Sequence, residues 1–265
     1  MTTKIQKPVL IFAAATMFFM PQVWAVRPFI TDDGAIIGYR RMEIANWMLI
    51  NKGSGQLWHS ANIGVHERVE LTCAMFWGYD KSGEENRANM SFTGPLLQSK
   101  FLLRDYEPNG LPGITIALGS DLPFGKGAFV PGGYGAFAFT SVTQCIGEEE
   151  NVLIHANIGG SYLREARKNL SGFTWGVGTQ VKLHKGFHFV GEFISGDPYA
   201  YHAGIGYQLG IRQFLSDRWQ VDFAFGNGIG GGDNRMPFWI SGGLRHVLPL
   251  KKAGTYARNG RKIVE

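Results

Sequence analysis

Residues 203–212 read AGIGYQLGIR, and this stretch decides the fold. Apolar side chains stand at every second position, including Ile205, Tyr207 and Leu209, and glycine or polar residues fill the positions between them. Successive side chains of a β-strand point to opposite faces, so the alternation predicts a strand with one apolar face and one small or polar face.

The same period of two recurs along the chain, for example over residues 173–183 and 220–226, and no segment shows a convincing helical stripe. The pattern predicts 12 strands. We place them at residues 37–50, 56–66, 69–80, 89–106, 113–122, 134–146, 151–164, 172–183, 186–196, 201–214, 218–228 and 237–248.

The connections between these strands alternate in length. Short ones such as HKG and LSDR alternate with longer ones such as KSGEENRA, REARKNLSG, SGDPYAYH and LPFGKGAFVPGGYG, the last of which is residues 122–135. Short turns at one end and longer loops at the other are typical of bacterial outer-membrane barrels. Only a closed barrel pairs every backbone amide of a strand that lies in lipid. The sequence therefore predicts an all-β, transmembrane, antiparallel up-and-down β-barrel of about 12 strands over residues 37–248.

Both ends of the chain lie outside this predicted barrel. Residues 1–25 combine Lys4 and Lys7 with the apolar run VLIFAAATMFFM, which is typical of a secretory signal peptide. Residues 26–36 are then expected to form a periplasmic N-terminal segment, and residues 249–265 a basic C-terminal tail. We therefore expect export to the bacterial outer membrane.

Composition excludes several classes of protein. A formal net charge of +5 without clustered Lys and Arg argues against a nucleic-acid partner. Two cysteines, Cys73 and Cys145, are too few for a disulfide framework, and their strand positions predict free thiols. No cofactor and no metal site are expected.

Two short motifs invite a chemical interpretation. Asp32 and Asp33 are adjacent, but neighbours on an extended chain point to opposite sides, so we expect them to share neither a proton nor a metal. They are predicted to lie on the periplasmic tail or inside the barrel mouth. His59 and Ser60 are also adjacent, so their side chains point to opposite faces of a strand. A catalytic pair must share a face to come within hydrogen-bond reach, so this spacing disfavours a hydrolase. We predict no catalytic residue and no enzyme activity.

Polar side chains that fall on the small or polar face of their strands are the candidate site. They are expected either to brace the interior or to line a narrow channel, and both readings predict the same orientation. The lumen-lining candidates are His155, Asn157, Gln180, Lys182, His188, Glu192, Gln208, Arg212, Asp222 and Arg245. The loop of residues 122–135 is expected to fold inward as a constriction or outward as a lid.

Aromatic residues near strand ends predict girdles at the two membrane interfaces, although aromatics are also common in strands generally. These are Tyr39, Trp47, Trp77, Tyr79, Phe173, Trp175, Tyr199, Tyr201, Trp219, Phe238 and Trp239.

Three stretches resemble a known family. They are RPFITDD at 27–33, ANIGVHERVELT at 61–72 and FLSDRWQVDFAFGNG at 214–228. They are similar to segments of the outer-membrane barrel family associated with the meta-pathway of phenol degradation. The resemblance implies a transporter of small, often hydrophobic compounds. The chain departs from that family in its basic tail, since such barrels commonly end on a terminal aromatic.

The predicted function is a porin-like channel for small molecules, and the resemblance implies that these molecules are hydrophobic or aromatic. Its expected partners are outer-membrane lipid, the small-molecule cargo and the outer-membrane assembly machinery, and the oligomeric state stays open. The alternatives are a structural barrel that transports nothing, an outer-membrane lipid hydrolase, and a soluble periplasmic barrel around a ligand.

Overall fold

The protein is a closed antiparallel β-barrel. A computed structural model describes residues 29–81, 88–147, 150–165, 169–197, 200–232 and 235–250. Its strands are β1 (Arg41–Asn51), β2 (Ser54–His66), β3 (Val69–Asp80), β4 (Asn89–Arg104), β5 (Gly113–Asp121), the two-residue β6 (Gly125–Lys126), β7 (Gly133–Ile146), β8 (Val152–Glu165), β9 (Asn169–His184), β10 (Phe187–Asp197), β11 (Ala200–Phe214), β12 (Trp219–Gly230) and β13 (Trp239–Pro249).

Each long strand pairs with its neighbours in the chain, and β13 pairs with β1 over Arg41↔Pro249 to Asn51↔Trp239. The β3–β4 pairing completes the ring, so 12 long strands enclose one lumen and β6 adds a short extension beside β4. The long strands have 9 to 16 residues, enough to cross a bilayer, which needs roughly 9–11 tilted residues. The predicted fold class and strand number are confirmed.

The two faces of the wall are as the alternation predicts. Phe223, Ile205 and Trp175 point outward with exposed fractions of 48%, 40% and 38%, and large apolar side chains cover the outer face of every long strand. In contrast, Glu192, Gln180 and other polar side chains are buried inside the ring. An outer surface this apolar is stable only against lipid, because a soluble protein rarely exposes so large an apolar patch.

Strands extend further than the sequence pattern predicts at the end that carries the longer connections, here called the loop end. β1 and β2 are joined by residues 52–53 alone, and β8 ends and β9 begins within the predicted loop REARKNLSG. The ladder continues because polar residues also pair their backbones, whereas apolar alternation is needed only within the lipid. Long connections remain at residues 81–88, 122–132 and 231–238.

The opposite end, here called the turn end, has two-residue turns at 67–68 and 185–186 and a longer connection at 105–112. That connection is fastened by Tyr106, whose hydroxyl donates to Glu150 Oε1 at 2.8 Å. Burial raises the pKa of the Tyr106 hydroxyl, so it keeps its proton and remains the donor. Burial also raises the pKa of Glu150.

Glycines on the lumen face make room for large side chains, which gives a stability prediction. A Cβ on Gly119 would lie 2.0 Å from the ring of buried Phe137 and 2.7 Å from the Leu97 carbonyl oxygen. We expect Gly119→Val to lower the free energy of unfolding by about 1–3 kcal/mol through overpacking. A lower temperature for loss of the heat-modifiable gel band would show it. Gly242→Val is the control, because its Cβ would meet nothing closer than 3.6 Å.

The predicted signal peptide and most of the basic tail lie outside the described residues, and so does Tyr199. Within the described parts of the chain, no helix is long and apolar enough to cross a membrane.

Candidate functional site

The lumen is occupied by the chain's own N-terminal segment, residues 29–38, here called the inner segment. Glu192 of β10 accepts hydrogen bonds from the backbone amides of Ile30 and Thr31, both at 2.8 Å. Gly34 donates its backbone amide to Thr143 Oγ1 of β7 at 2.7 Å, three strands away along the wall. The inner segment is therefore fixed between β7 and β10, inside the ring.

Two further bonds guide the inner segment toward the turn end. The Ile37 amide donates to Glu70 Oε2 at 2.7 Å, and the Thr115 hydroxyl donates to the Asp33 carbonyl oxygen at 3.1 Å. The chain then turns into β1 through Gly38, which has a φ of 89°. Residues 26–36 were expected on the periplasmic side, but the described part of that range, residues 29–36, lies within the lumen because these side chains bind its backbone.

Asp32 and Asp33 share one ammonium partner, so the expectation that they point to opposite sides is wrong, whereas the expectation that they share neither a proton nor a metal stays a prediction. Lys100 Nζ lies 2.7 Å from Asp32 Oδ1 and 3.0 Å from Asp33 Oδ1, and all three side chains are buried. The chain bends here: the Asp33 amide bonds to Asp32 Oδ1 at 2.8 Å and the Ala35 amide to Asp33 Oδ1 at 3.1 Å. The bend brings both carboxylates to one side. Their role is structural, and they lie in the barrel interior.

A second buried ion pair lies near the seam where the barrel closes. Arg245 Nε of β13 bonds to Glu43 Oε2 of β1 at 2.7 Å, and Glu43 Oε1 accepts from Asn62 Nδ2 at 2.9 Å. Arg245 also donates to Gln220 Oε1 at 3.3 Å. The network bridges β12, β13, β1 and β2, so it joins the first and last strands of the ring.

Breaking that pair has a predicted cost. Glu43→Ala leaves the Arg245 guanidinium buried without its carboxylate, and we expect roughly 3–5 kcal/mol less stability. Urea unfolding in detergent micelles measures the change. A double replacement, Glu43→Met with Arg245→Met, removes both charges and is expected to recover most of the loss. An unchanged urea midpoint for Glu43→Ala would contradict the prediction.

The structure places all ten candidate side chains inward or at the lumen margin, and eight of them are buried. His155 Nδ1 pairs with Thr143 Oγ1 at 2.9 Å, and Gln208 Nε2 donates to Glu192 Oε1 at 3.1 Å. Buried are His155, Gln180, His188, Glu192, Gln208, Arg212, Asp222 and Arg245, while Asn157 and Lys182 are half-buried.

Several of these residues contact the inner segment or form hydrogen bonds with one another. Arg212 donates to Gln180, and its guanidinium carbon lies 5.5 Å from the centre of the Phe29 ring. The same ring meets His155 edge-on at 5.4 Å. The set therefore includes bracing residues, and channel lining by its members stays a prediction.

An aromatic ladder lines the lumen on the loop-end side of the wall. Trp47 and Trp58 stack with ring centres 5.3 Å apart and an interplanar angle of 4°. Trp58 stacks on Phe76 at 4.2 Å, and Phe76 meets Phe129 at 5.7 Å. These four residues form a continuous ring surface across β1, β2, β3 and the connection after β6. We call them the aromatic ladder.

The ladder corrects part of the girdle prediction. Trp47 and Trp239 are only 9% and 4% exposed and point into the lumen, where Trp239 Nε1 donates to Gln208 Oε1 at 2.9 Å. Their strand positions share a face with Glu43 and Arg245, which explains their direction. Outward-facing and exposed are Tyr39, Trp77, Phe173, Trp175, Trp219 and Phe238; Tyr79 is half-buried. The side chain of Tyr201, like residue 199, lies outside what the structure describes.

The loop of residues 122–135 folds inward at Phe129, which selects one of the two predicted arrangements. Thr93 Oγ1 of β4 donates to the Phe129 carbonyl oxygen at 3.3 Å. Gly78 leaves space for the Phe129 ring, because a Cβ at this position would lie only 2.8 Å from the ring. Phe129 thus narrows the lumen from the loop end.

Little space remains beside the inner segment. The cavity bordered by Ile30, Thr31, Phe139 and Asn157 has a volume of about 10 Å³, which is at or below the ~10–15 Å³ that one water molecule needs. This cavity is too small to pass a solute.

Four residues that hold the inner segment were not singled out from the sequence: Glu70, Lys100, Thr115 and Thr143. Lys100 did carry a signal, because it is a charge between Ser99 and the apolar run Phe101–Leu103 on the lumen face of β4. A charge in that position needs a buried partner. The partner itself is 67 and 68 residues away in the sequence and leaves no local trace.

The described residues contain no group of three or more His, Cys, Asp or Glu that could hold a metal ion. His59 and Ser60 point to opposite faces of β2, as predicted. Cys73 is exposed on the outer face, Cys145 is buried, and both are free thiols as predicted.

Comparisons with known proteins bear on the fold. No protein-family profile matches the chain, and no curated protein does. Among solved structures, the chain is similar to the COG4313 outer membrane channel from Pseudomonas putida F1, with a TM-score of 0.58, 9% identity, and coverage of 81% of this chain and 97% of that one. It is also similar to the KdgM porin, with a TM-score of 0.52, 10% identity, and coverage of 77% and 98%. The NanC porin matches with a TM-score of 0.52, 6% identity, and coverage of 79% and 99%.

At such low identity these likenesses establish the fold alone. The specific resemblance to the phenol meta-pathway family stays a prediction. The chain has the porin-like fold of an outer-membrane β-barrel.

Proposed function

We propose that the protein is an outer-membrane channel for small apolar molecules, aromatic ones above all, and that the inner segment holds it closed in the state described here. The aromatic ladder is the observation that carries this proposal. It offers stacked, inward-facing rings where a structural barrel needs only packed aliphatic side chains. Ring faces attract other rings through offset or edge-to-face contacts worth about 0.5–1.5 kcal/mol each.

The barrel itself supports the location. Its outer face carries large apolar side chains on every long strand, and the solved structures it resembles include a channel and porins of the outer membrane. Outer-membrane lipid, the assembly machinery and a small-molecule cargo are the partners that follow from this proposal. The inner segment is held by side-chain contacts from β3, β4, β5, β7 and β10 and does not pair with any of the described strands. It can therefore leave the lumen without disrupting the hydrogen bonds between strands.

Liposome swelling tests the proposal with two neutral solutes of similar size, phenyl glucoside and cyclohexyl glucoside. We expect full-length protein in liposomes, where the inner segment leaves the lumen part of the time, to admit the phenyl compound faster, because only its ring stacks on the ladder. Swelling by neither solute, together with no conductance in planar bilayers, would favour the barrel that transports nothing. Heat-modifiable mobility of the outer-membrane fraction checks location and closure.

A further inference from the structure

The outer wall carries a polar pair where lipid is expected. Asn46 of β1 and His59 of β2 are directly opposite in register and both point outward. His59 Nδ1 lies 2.7 Å from Asn46 Oδ1. Each residue sits near the middle of its strand, so the pair lies near the middle of the bilayer rather than at an interface.

This pair leaves hydrogen-bonding capacity unused. An amide oxygen only accepts, so Nδ1 of His59 carries the hydrogen and Nε2 of the neutral ring is an acceptor. Asn46 Nδ2 offers two donors. Among the described residues, neither Nε2 of His59 nor Nδ2 of Asn46 has a hydrogen-bond partner. Hydrocarbon supplies none, and a polar side chain at this depth marks a functional site by default.

The wall is concave at the same place. A depression of about 360 Å³ is bordered by Asn46, His59 and apolar side chains of β1, β2 and β3. Its size falls within the range of small-molecule sites, roughly 300–1,000 Å³. Ala61 and Cys73 are opposite each other in register, and their small side chains form the bottom of the depression. The apolar border is formed by Met42, Ile44 and Met75.

We propose that this depression, here called the wall site, binds a hydroxyl-bearing apolar molecule dissolved in the membrane, such as an alkylphenol. A hydroxyl group donates its hydrogen to Nε2 of His59, while Asn46 Oδ1 keeps the ring hydrogen on Nδ1 and so keeps Nε2 an acceptor. The apolar body would then lie against Met42, Ile44 and Met75. The site faces lipid, so binding there needs no passage through the lumen and does not depend on the proposed channel.

The shape favours a ligand over a second copy of the chain. Two barrels related by an axis along the membrane normal would place depression against depression and leave a void between them.

Photo-crosslinking in lipid nanodiscs tests the wall site with the full-length protein. The probe is a 4-alkylphenol that carries a diazirine on its chain, and peptide mass spectrometry locates the adducts. We expect adducts on β1–β3, displaced by 4-hexylphenol but not by 4-hexylanisole, which lacks the hydroxyl hydrogen. His59→Leu and Asn46→Leu should each lower the adduct yield about tenfold.

Thr179→Val is the matched control. Thr179 is an outward-facing polar residue in the middle of β9, on another part of the wall, and its hydroxyl already bonds to the Leu153 carbonyl oxygen at 3.2 Å. This variant should retain full yield, and all three variants should keep heat-modifiable mobility. Equal competition by the anisole, adducts spread around the wall, or undiminished yield in both leucine variants would overturn the proposal. Adducts that appear only in cross-linked pairs of chains would assign the surface to self-association instead.

Discussion

Replacing Lys100 with methionine is expected to drive the inner segment out of the lumen and open the channel. The ammonium group is the shared partner of Asp32 and Asp33, and all three are buried. Removing it leaves two carboxylates unpaired, at a cost of roughly 3–5 kcal/mol. Leaving the lumen restores their hydration without unfolding any strand. Single-channel recordings should therefore show a larger conductance than wild type, and heat-modifiable mobility should stay unchanged.

A triple variant separates charge from packing. Lys100→Met combined with Asp32→Asn and Asp33→Asn removes all three charges of this ion-paired group, so the inner segment should return and conductance should fall toward the wild-type value. Protease digestion of the N-terminus reports the same event, with cleavage expected in the single variant only. A conductance equal to wild type in Lys100→Met would show that other contacts keep the segment seated.

The second large effect is expected at the centre of the aromatic ladder. Trp58 stacks on Trp47 and on Phe76, so Trp58→Ala removes two ring contacts and interrupts the path from Phe129 inward. Each contact is worth about 0.5–1.5 kcal/mol, and about 1.4 kcal/mol corresponds to a factor of ten. We expect the ratio of phenyl glucoside to cyclohexyl glucoside permeation to fall by about that factor.

Two controls accompany this measurement. Trp58→Phe keeps a ring in the ladder and should preserve most of the preference. Trp77→Ala removes a tryptophan of β3 that is 51% exposed on the outer face, so it should leave the preference unchanged. If the ratio is the same in all variants, aromatic preference does not arise from the ladder.

The barrel was predictable because its physics is local. Each strand must alternate to satisfy lipid on one side and the lumen on the other, and residues 203–212 show this within ten positions. The direction of Trp47 was readable in the same way, since it shares a face with Glu43. The girdle prediction for Trp47 is wrong because it rests on nearness to a strand end and not on the face of the strand to which the side chain belongs.

The inner segment was not predictable by such reasoning. Residues 29–38 have no period, and their bonds reach as far as Glu192, which is 161 and 162 residues away. The alternation along β10 predicts that Glu192 points into the lumen, but it does not predict which group Glu192 binds. The polar pair on the outer wall is equally hidden in the sequence, because the neighbour of His59 along the chain is Ser60, whereas its hydrogen-bond partner Asn46 lies on the adjacent strand β1.

The closure of β13 on β1 has a consequence for biogenesis. The inner segment directly precedes β1, yet its anchors are spread over strands that emerge much later during translocation. Those strands must therefore fold around an inner segment that is already in place, or the inner segment must enter the lumen before β13 pairs with β1. We expect a bulky fusion attached ahead of residue 29 to hinder the entry of the inner segment into the lumen. Affinity tags are better carried at the other terminus.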